Sequence, residues 1–210
     1  MLVWHYGRGA TLLRVRVLGY LCVLRSHRMK RLRGICLGSE HVGKTTLITT
    51  MNERKYRLVV PTIGVNHCTI LCQGTRFICW DTSGNPKFKA VTEMFTKDCS
   101  VFMYIFDLAR KDTLEEALGW YDNIIDTIPR RNTVHILIGN KKDLTGDDST
   151  VRERVCQFPE LNYYTVSARS VKDTIALWQA VERDCAHIQP EALFPEEKSS
   201  EHRLECCEIQ

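Results

Sequence analysis

The chain has 210 residues, 44% of them hydrophobic and 26% charged, with a formal net charge of +4. That length supports one domain with a real core plus tails, and no run approaches the ~18 apolar residues of a membrane-spanning helix. The ten cysteines are scattered, several in apolar strand-like runs (Cys36, Cys79), which points to a reduced, intracellular protein rather than a disulfide framework.

The charge is unevenly spread. Residues 1–28 carry five arginines and no Asp or Glu, and the remainder has 24 basic and 25 acidic residues. The body is near neutral, so a general nucleic-acid-binding surface is not expected. The Arg-rich start, with Leu12, Leu13, Val15, Val17, Leu18 and Leu21, has two readings. One is a targeting or interfacial segment. The other is an upstream extension outside the working protein, with Met29 as the natural start. The second is favoured, because the serines of a transit peptide are lacking and the fold begins soon after Met29.

A short apolar run, Ile35-Cys36-Leu37, leads into Gly38-Ser39-Glu40-His41-Val42-Gly43-Lys44-Thr45 and then a helical-looking stretch over 45–51. This is G-x-x-x-x-G-K-T between a strand and a helix, the setting of a phosphate-cradling loop. Gly38 and Gly43 can adopt positive φ and bring backbone N–H groups to phosphates, aided by the helix N-terminus. Lys44 is expected to reach the β- and γ-phosphates, and the Thr45 hydroxyl to ligate Mg²⁺, with Thr46 beside it. The alternative is a glycine-bearing turn with a surface lysine.

Residues 65–72 and 75–80 flank Gln73-Gly74 and read as a hairpin. Cys68 and Cys72 lack a second ligand pair at metal-binding spacing and read as strand residues. Asp81-Thr82-Ser83-Gly84 follows the strand. Its carboxylate suits an outer position on Mg²⁺, and the Gly84 N–H suits a γ-phosphate. Residues 100–107 (SVFMYIFD) read as a strand buried on both faces. Leu114, Ala117, Leu118, Tyr121, Ile124, Ile125 and Ile128 share a helix face, with Thr113 and Glu116 at capping-box spacing and Pro129 as the stop.

Residues 134–139 (VHILIG) form another buried strand, followed by Asn140-Lys141-Lys142-Asp143. A carboxylate at Asp143 can accept from both N1–H and the 2-amino group of guanine, and adenine offers no such donor pair. Asn140 would tie the loop together, and the Lys141 stem would cover a base face. After a last strand over 163–166 come Ser167-Ala168-Arg169, where the Ala168 N–H can donate to guanine O6. Val171, Ile175, Trp178, Val181 and Cys185 mark a final amphipathic helix. Strand–helix alternation implies a mostly parallel sheet with helices on both faces and ligands at the C-terminal strand ends. From 189 to 210 the chain has two prolines and five acidic residues before the cysteines, and reads as a flexible tail.

Together, GxxxxGKT, DxxG, NKxD and SA-R resemble the Ras-superfamily small GTPases, over residues 33 to about 188. The gaps are 37 residues from Lys44 to Asp81, 59 from Asp81 to Asn140 and 27 from Asn140 to Ser167. The resemblance implies a P-loop α/β fold over 29–188, a six-stranded sheet with one antiparallel edge strand, and a Mg²⁺-dependent GTP/GDP switch. It implies Thr62 as a Mg²⁺ ligand sensing the γ-phosphate, so that the metal site comprises Thr45, Thr62 and Asp81. It also implies an exchange factor, a GTPase-activating protein and effectors, with a monomeric chain. Trp80-Asp81-Thr82, residues 87–92 and the double-cysteine tail look like the Rab branch. Thr46 after GKT and Pro61-Thr62-Ile63-Gly64-Val65-Asn66 look like the Arf branch, but no glycine follows Met1 or Met29 for myristoylation. The Rab-like reading is preferred.

The chain departs from the family after DxxG. Asn85 stands where glutamine usually orients the attacking water, and its amide falls about 1.5 Å short, one C–C bond. Pro86 restricts Asn85 to extended conformations. Glu40 and His41 replace small residues, and Glu40 sets a carboxylate near the γ-phosphate. Slow hydrolysis is expected, with Asn85, Lys44 and Thr62 as the catalytic residues. Cys206 and Cys207 near the C-terminus resemble a prenylation signal, which implies a prenyl transferase and a lipid anchor at the cytoplasmic face of a membrane. Two rivals are a GTP-loaded scaffold without useful hydrolysis and a small-molecule kinase. Asn140 to Asp143 argue against the kinase.

Overall fold

Apolar residues two apart build one sheet with a core on each face. The computed structural model describes residues 11–17, 20–26, 30–72, 75–128, 132–145 and 147–189. Strands β1 (Thr11–Val17) and β2 (Tyr20–Ser26) pair antiparallel in a two-stranded sheet of their own. Six strands form the main sheet: β3 (Lys30–Leu37), β4 (Val65–Cys72), β5 (Thr75–Thr82), β6 (Val101–Asp107), β7 (Val134–Asn140) and β8 (Leu161–Thr165), in the order β4-β5-β3-β6-β7-β8. Only β4, at the edge, runs antiparallel to its neighbour. This is the mixed α/β sheet expected from the alternation of strands and helices.

The period-2 pattern decides which side chain goes to which face. In β6, Val101, Met103 and Ile105 join one core, while Phe102, Tyr104 and Phe106 join the other. The first core is closed by Leu47, Ile48 and Met51 of helix α1 (Lys44–Glu53). Leu177, Trp178 and Val181 of a helix at Val171–Asp184 complete it. The second lies under Leu114, Ala117, Leu118, Tyr121 and Ile124 of a helix at Asp112–Thr127. In chain order the remaining helices are α2 (Lys89–Thr96), α3 (Asp112–Thr127), α4 (Ser149–Val155) and α5 (Val171–Asp184). Gly34 in β3 is a packing requirement, since a Cβ there would stand 2.3 Å from the Phe77 ring.

Some sequence expectations change. Thr113 and Glu116 form no capping box: Lys111 holds the cap position without a side-chain bond, and Thr113 lies inside α3. The Thr113 hydroxyl instead accepts the buried Asp107 N–H at 3.0 Å and donates to the Arg110 carbonyl at 2.6 Å. A buried strand-end N–H needs a partner, and Thr113 is that partner. Glu116 accepts from the Ser39 hydroxyl. Helix α4 went unread because only Val151 and Val155 of its seven residues are buried, too few to show a period. Pro129, Gln73-Gly74 and residues 190–210, with Cys206 and Cys207, lie outside the described residues. Among the described residues no helix is long and apolar enough to cross a membrane.

Candidate nucleotide site

The motif loops all leave the C-terminal ends of parallel strands, β3, β5, β7 and β8, as the rule for open α/β sheets requires. A cleft of about 350 Å³ lies across them, lined by Glu40, His41, Gly43, Lys44, Thr45, Thr46, Thr62, Asn140, Lys141, Asp143, Ala168 and Arg169, with Tyr56 and others. Its size falls in the range of small-molecule sites.

The phosphate loop wraps an ammonium group. Lys44 is buried, and its Nζ donates to the carbonyls of Gly38 (2.9 Å) and Ser39 (2.7 Å). Burial lowers its pKa to about 8, against the opposing pull of the Asp81 carboxylate. Gly38 and Gly43 take the positive φ expected of them, 139° and 94°. Gly84 comes so close that a Cβ would stand 2.4 Å from Lys44 Nζ and 2.6 Å from the Gly38 carbonyl, so only glycine fits. His41 has a left-handed φ of 62° without being glycine, a strained position of the sort that clusters at functional loops. Val42 is fully buried and presents its carbonyl inward.

Thr45, Thr62 and Asp81 meet. The Thr45 and Thr62 hydroxyls are 2.7 Å apart, and both reach Asp81 Oδ2, at 2.7 and 2.9 Å. Asp81 Oδ1 is buried and has no hydrogen-bond partner. Burial raises the Asp81 pKa, partly offset by the two hydroxyls and Lys44. Two hydroxyls, a carboxylate and an orphaned oxygen make a hard-oxygen set that suits Mg²⁺. Thr62 reaches this cluster although it lies in an irregular loop, with Leu58, Val60 and Ile63 exposed around it.

The base end is tied together by Asn140. Its Nδ2 donates to the Val42 carbonyl at 2.8 Å, and its Oδ1 accepts the Ala168 N–H at 3.0 Å. One side chain thus links the phosphate loop to the loop after β8. The Ala168 N–H, expected to face a base, is engaged here instead. Ser167 Oγ donates to Asp143 Oδ1 at 2.6 Å, and Arg169 lies 3.6 Å from Oδ2. Lys141, at φ 63°, sends its Nζ to Asp107 Oδ2 at 2.7 Å, which stretches its stem along the cleft.

Two residues were missed from sequence. Asp107, at the end of β6, anchors Lys141. Burial pushes its carboxyl up, but bonds from Lys141, Ala109 N–H and Arg110 outweigh that and hold it below its ordinary value. Tyr56 lines the cleft with the Arg169 guanidinium 6.0 Å from its ring centre. A lone aromatic in the polar run ERKYR was the available signal.

The family model described as Ras family matches residues 33–187. The chain belongs to the Ras family. Members of the Ras family bind guanine nucleotide with Mg²⁺. Relatives of this Ras-family chain carry Rab names, in line with the Rab-like reading. The mouse "Ras-related protein Rab-17" is 28% identical over 130 residues, 60% of this chain and 61% of that protein. The Drosophila melanogaster "Ras-related protein Rab-26" is 28% identical over 159 residues, 71% of this chain and 41% of that protein. The Dictyostelium discoideum "Ras-related protein Rab-7B" is 22% identical over 192 residues, 85% and 98%. The match thus spans about three fifths of the mouse relative and two fifths of the fly one, but nearly all of the third.

Asn85 differs from the expectation of a merely short side chain. Its Nδ2 donates to Glu40 Oε1 at 2.9 Å, and its Oδ1 accepts the Lys87 N–H at 2.9 Å, capping the short helix Pro86–Phe88. The apolar side chains beyond it differ in exposure. Val91 and Met94 are exposed, but Phe88 is half-buried and Phe95 packs on Trp80 with ring centres 4.6 Å apart.

Proposed function

We propose that this Ras-family protein is a guanine-nucleotide switch that hydrolyses Mg²⁺-GTP slowly. The observation that carries this reading is the meeting of Thr45, Thr62 and Asp81 beside Lys44. Gly38, Ser39, Glu40, His41, Val42, Gly43, Lys44, Thr45 and Thr46 hold the phosphates, with Lys44 supplying the positive charge. Thr45 and Thr62 would ligate Mg²⁺, with Asp81 behind them and one of its oxygens unsatisfied. Bound Mg²⁺ would neutralise charge on the β- and γ-phosphates. Gly84 reports the γ-phosphate. Asp143, oriented by Ser167, accepts from guanine, with Asn140, Lys141, Ala168 and Arg169 around the base. Because Thr62 belongs to the metal cluster, loss of the γ-phosphate would release its loop, and residues 55–66 and 83–95 would be the output.

Asn85 is the reason for slowness: its amide is short and both of its ends have partners within the protein. The same observation favours a second reading, a GTP-loaded scaffold with little or no hydrolysis. The proposed setting is membrane traffic at a cytoplasmic membrane face, with a cytosolic pool. The partners are an exchange factor, an activating protein, effectors and a prenyl transferase acting at Cys206 or Cys207. Intact-mass measurement of cell-purified protein tests the anchor: absence of added lipid mass removes it.

The deciding experiment is single-turnover hydrolysis of Mg²⁺-GTP by wild type and Asn85→Gln. Slow wild-type turnover and a faster variant support the switch. A wild-type rate equal to that of glutamine-bearing relatives overturns the role given to Asn85. No turnover in either, with GTP bound, favours the scaffold. Binding of labelled GTP that excess ATP displaces would instead indicate a kinase-like site.

A further inference from the structure

We infer that Glu40 is a positioning residue that latches Asn85 away from the attacking water, so that the Glu40–Asn85 pair, and not Asn85 alone, sets the hydrolysis rate. The inference rests on the GTPase reading above.

The geometry is specific. A carboxylate only accepts hydrogen bonds and a backbone N–H only donates. The Asn85 amide therefore turns its nitrogen to Glu40 Oε1 and its oxygen to the Lys87 N–H, each at 2.9 Å. An amide that orients water must aim its oxygen at a water proton, and this amide is held at both ends, its nitrogen on Glu40 and its oxygen aimed at the Lys87 N–H. Glu40 is itself held. Arg110 Nη2 donates to the Glu40 carbonyl at 3.1 Å, and Arg110 Nε bonds Asp107 Oδ2 at 3.2 Å. The neighbouring Ser39 hydroxyl is fixed on Glu116 of α3. The loop thus presents the Glu40 side chain from a tethered backbone, and a charge-assisted bond runs from it to the segment after β5. Lengthening Asn85 by one methylene would leave the Glu40 acceptor in place. Restoring the reach of the amide should then be insufficient without releasing the latch.

The test compares full-length wild type with Asn85→Gln, Glu40→Ala and the double variant in single-turnover hydrolysis of Mg²⁺-GTP. Asn85→Gln alone is expected to gain a few-fold, and Glu40→Ala with Asn85→Gln at least tenfold more, beyond the product of the single changes. Two further changes at Glu40, each made in the Asn85→Gln background, separate the hydrogen bond from charge repulsion at the γ-phosphate. Glu40→Gln keeps an acceptor oxygen and should recover less than a third of that gain. Glu40→Asp keeps the charge but is one methylene short, and should act like Glu40→Ala. A double variant no faster than Asn85→Gln overturns the latch. So does a Glu40→Gln gain equal to that of Glu40→Ala, which assigns the effect to charge. Urea unfolding reports the fold of each variant and a fluorescent non-hydrolysable GTP analogue its loading, and Glu40→Asp stands in if Glu40→Ala fails to fold or bind. Failure of wild type to bind the analogue overturns the GTPase reading and the latch together. Binding by all, with strictly multiplicative rates, overturns the latch alone.

Discussion

The two ends of the cleft differ. At the base end, Asn140, Asp143, Ser167 and Ala168 keep the residues of the family's motifs and are bonded to one another. At the phosphate end, Lys44, Thr45, Thr62 and Asp81 keep theirs, while Glu40, His41 and Asn85 do not, and Glu40 and Asn85 are bonded to each other. Holding a nucleotide and cleaving it are separate demands on one site. Of the residues that differ, Glu40 and Asn85 are bonded to each other at the phosphate end, and none takes part in the base-end contacts.

The largest expected effect breaks the base end. Asp143→Ala removes the one carboxylate among the described residues lining that part of the cleft and leaves the Ser167 hydroxyl without its 2.6 Å acceptor. Loss of two hydrogen bonds to a charged acceptor should weaken GDP binding by about 10³-fold, with no matching gain for ADP. Equilibrium titration with fluorescent nucleotides measures both. Retained GDP affinity would place base selection elsewhere.

Asn140→Ala tests how far the ends are independent, because this side chain joins them. The substitution leaves the Val42 carbonyl and the Ala168 N–H unpaired in a buried setting. A loss of about 2–4 kcal/mol of stability is expected, read in urea unfolding of the nucleotide-free protein. Nucleotide affinity should fall together with stability. Loss of affinity at unchanged stability would make Asn140 a direct ligand only.

These contacts were unevenly legible in the sequence. The strands of the main sheet follow from apolar runs and the hairpin pattern, α1 from the motif that precedes it, and α3 and α5 from a periodic apolar face. The motif loops follow from fixed spacing. Side-chain partnerships across the fold did not follow. Thr113 and Glu116 read as a local cap, but Asp107 and Ser39 claim them from elsewhere in the chain. Tyr56 and Asp107 lack a motif and gain their roles only when the strand ends converge. Asn85 read as too short. That it is also held by Glu40, forty-five positions earlier, is a tertiary fact.

A smaller effect separates Lys44 from its surroundings. Burial lowers its pKa to about 8 in the free protein, and a bound phosphate would raise it again. Nucleotide binding therefore takes up a proton once the pH exceeds about 8. GDP affinity should be insensitive to this group below pH 8 and fall by up to about tenfold per unit above it. The stability of the free protein moves the other way. The folded pKa lies below the unfolded value of 10.5, so the unfolded chain holds more protons between the two and stability rises with pH there. Lys44→Arg keeps its charge throughout and should flatten the binding profile between pH 7 and 9 (roughly one decade of the expected change). A wild-type profile already as flat as that of Lys44→Arg would mean that the ammonium is not perturbed.

The smallest expected effect returns to the base end and the aromatic wall that Tyr56 gives it. Tyr56 belongs to no motif, yet it lines the cleft with the Arg169 guanidinium over its ring. Its ring can hold Arg169 against the solvent and cover part of a bound base, each contact worth about 0.5–1.5 kcal/mol. Tyr56→Ala should therefore weaken GDP about 3- to 10-fold, mostly through faster release, and Tyr56→Phe should recover most of the loss because the ring carries the contact. Stopped-flow release of a fluorescent GDP measures this directly. If Tyr56→Phe were as weak as Tyr56→Ala, the phenolic hydroxyl would be the working group, and the base end would depend on a polar contact rather than on a stacked wall.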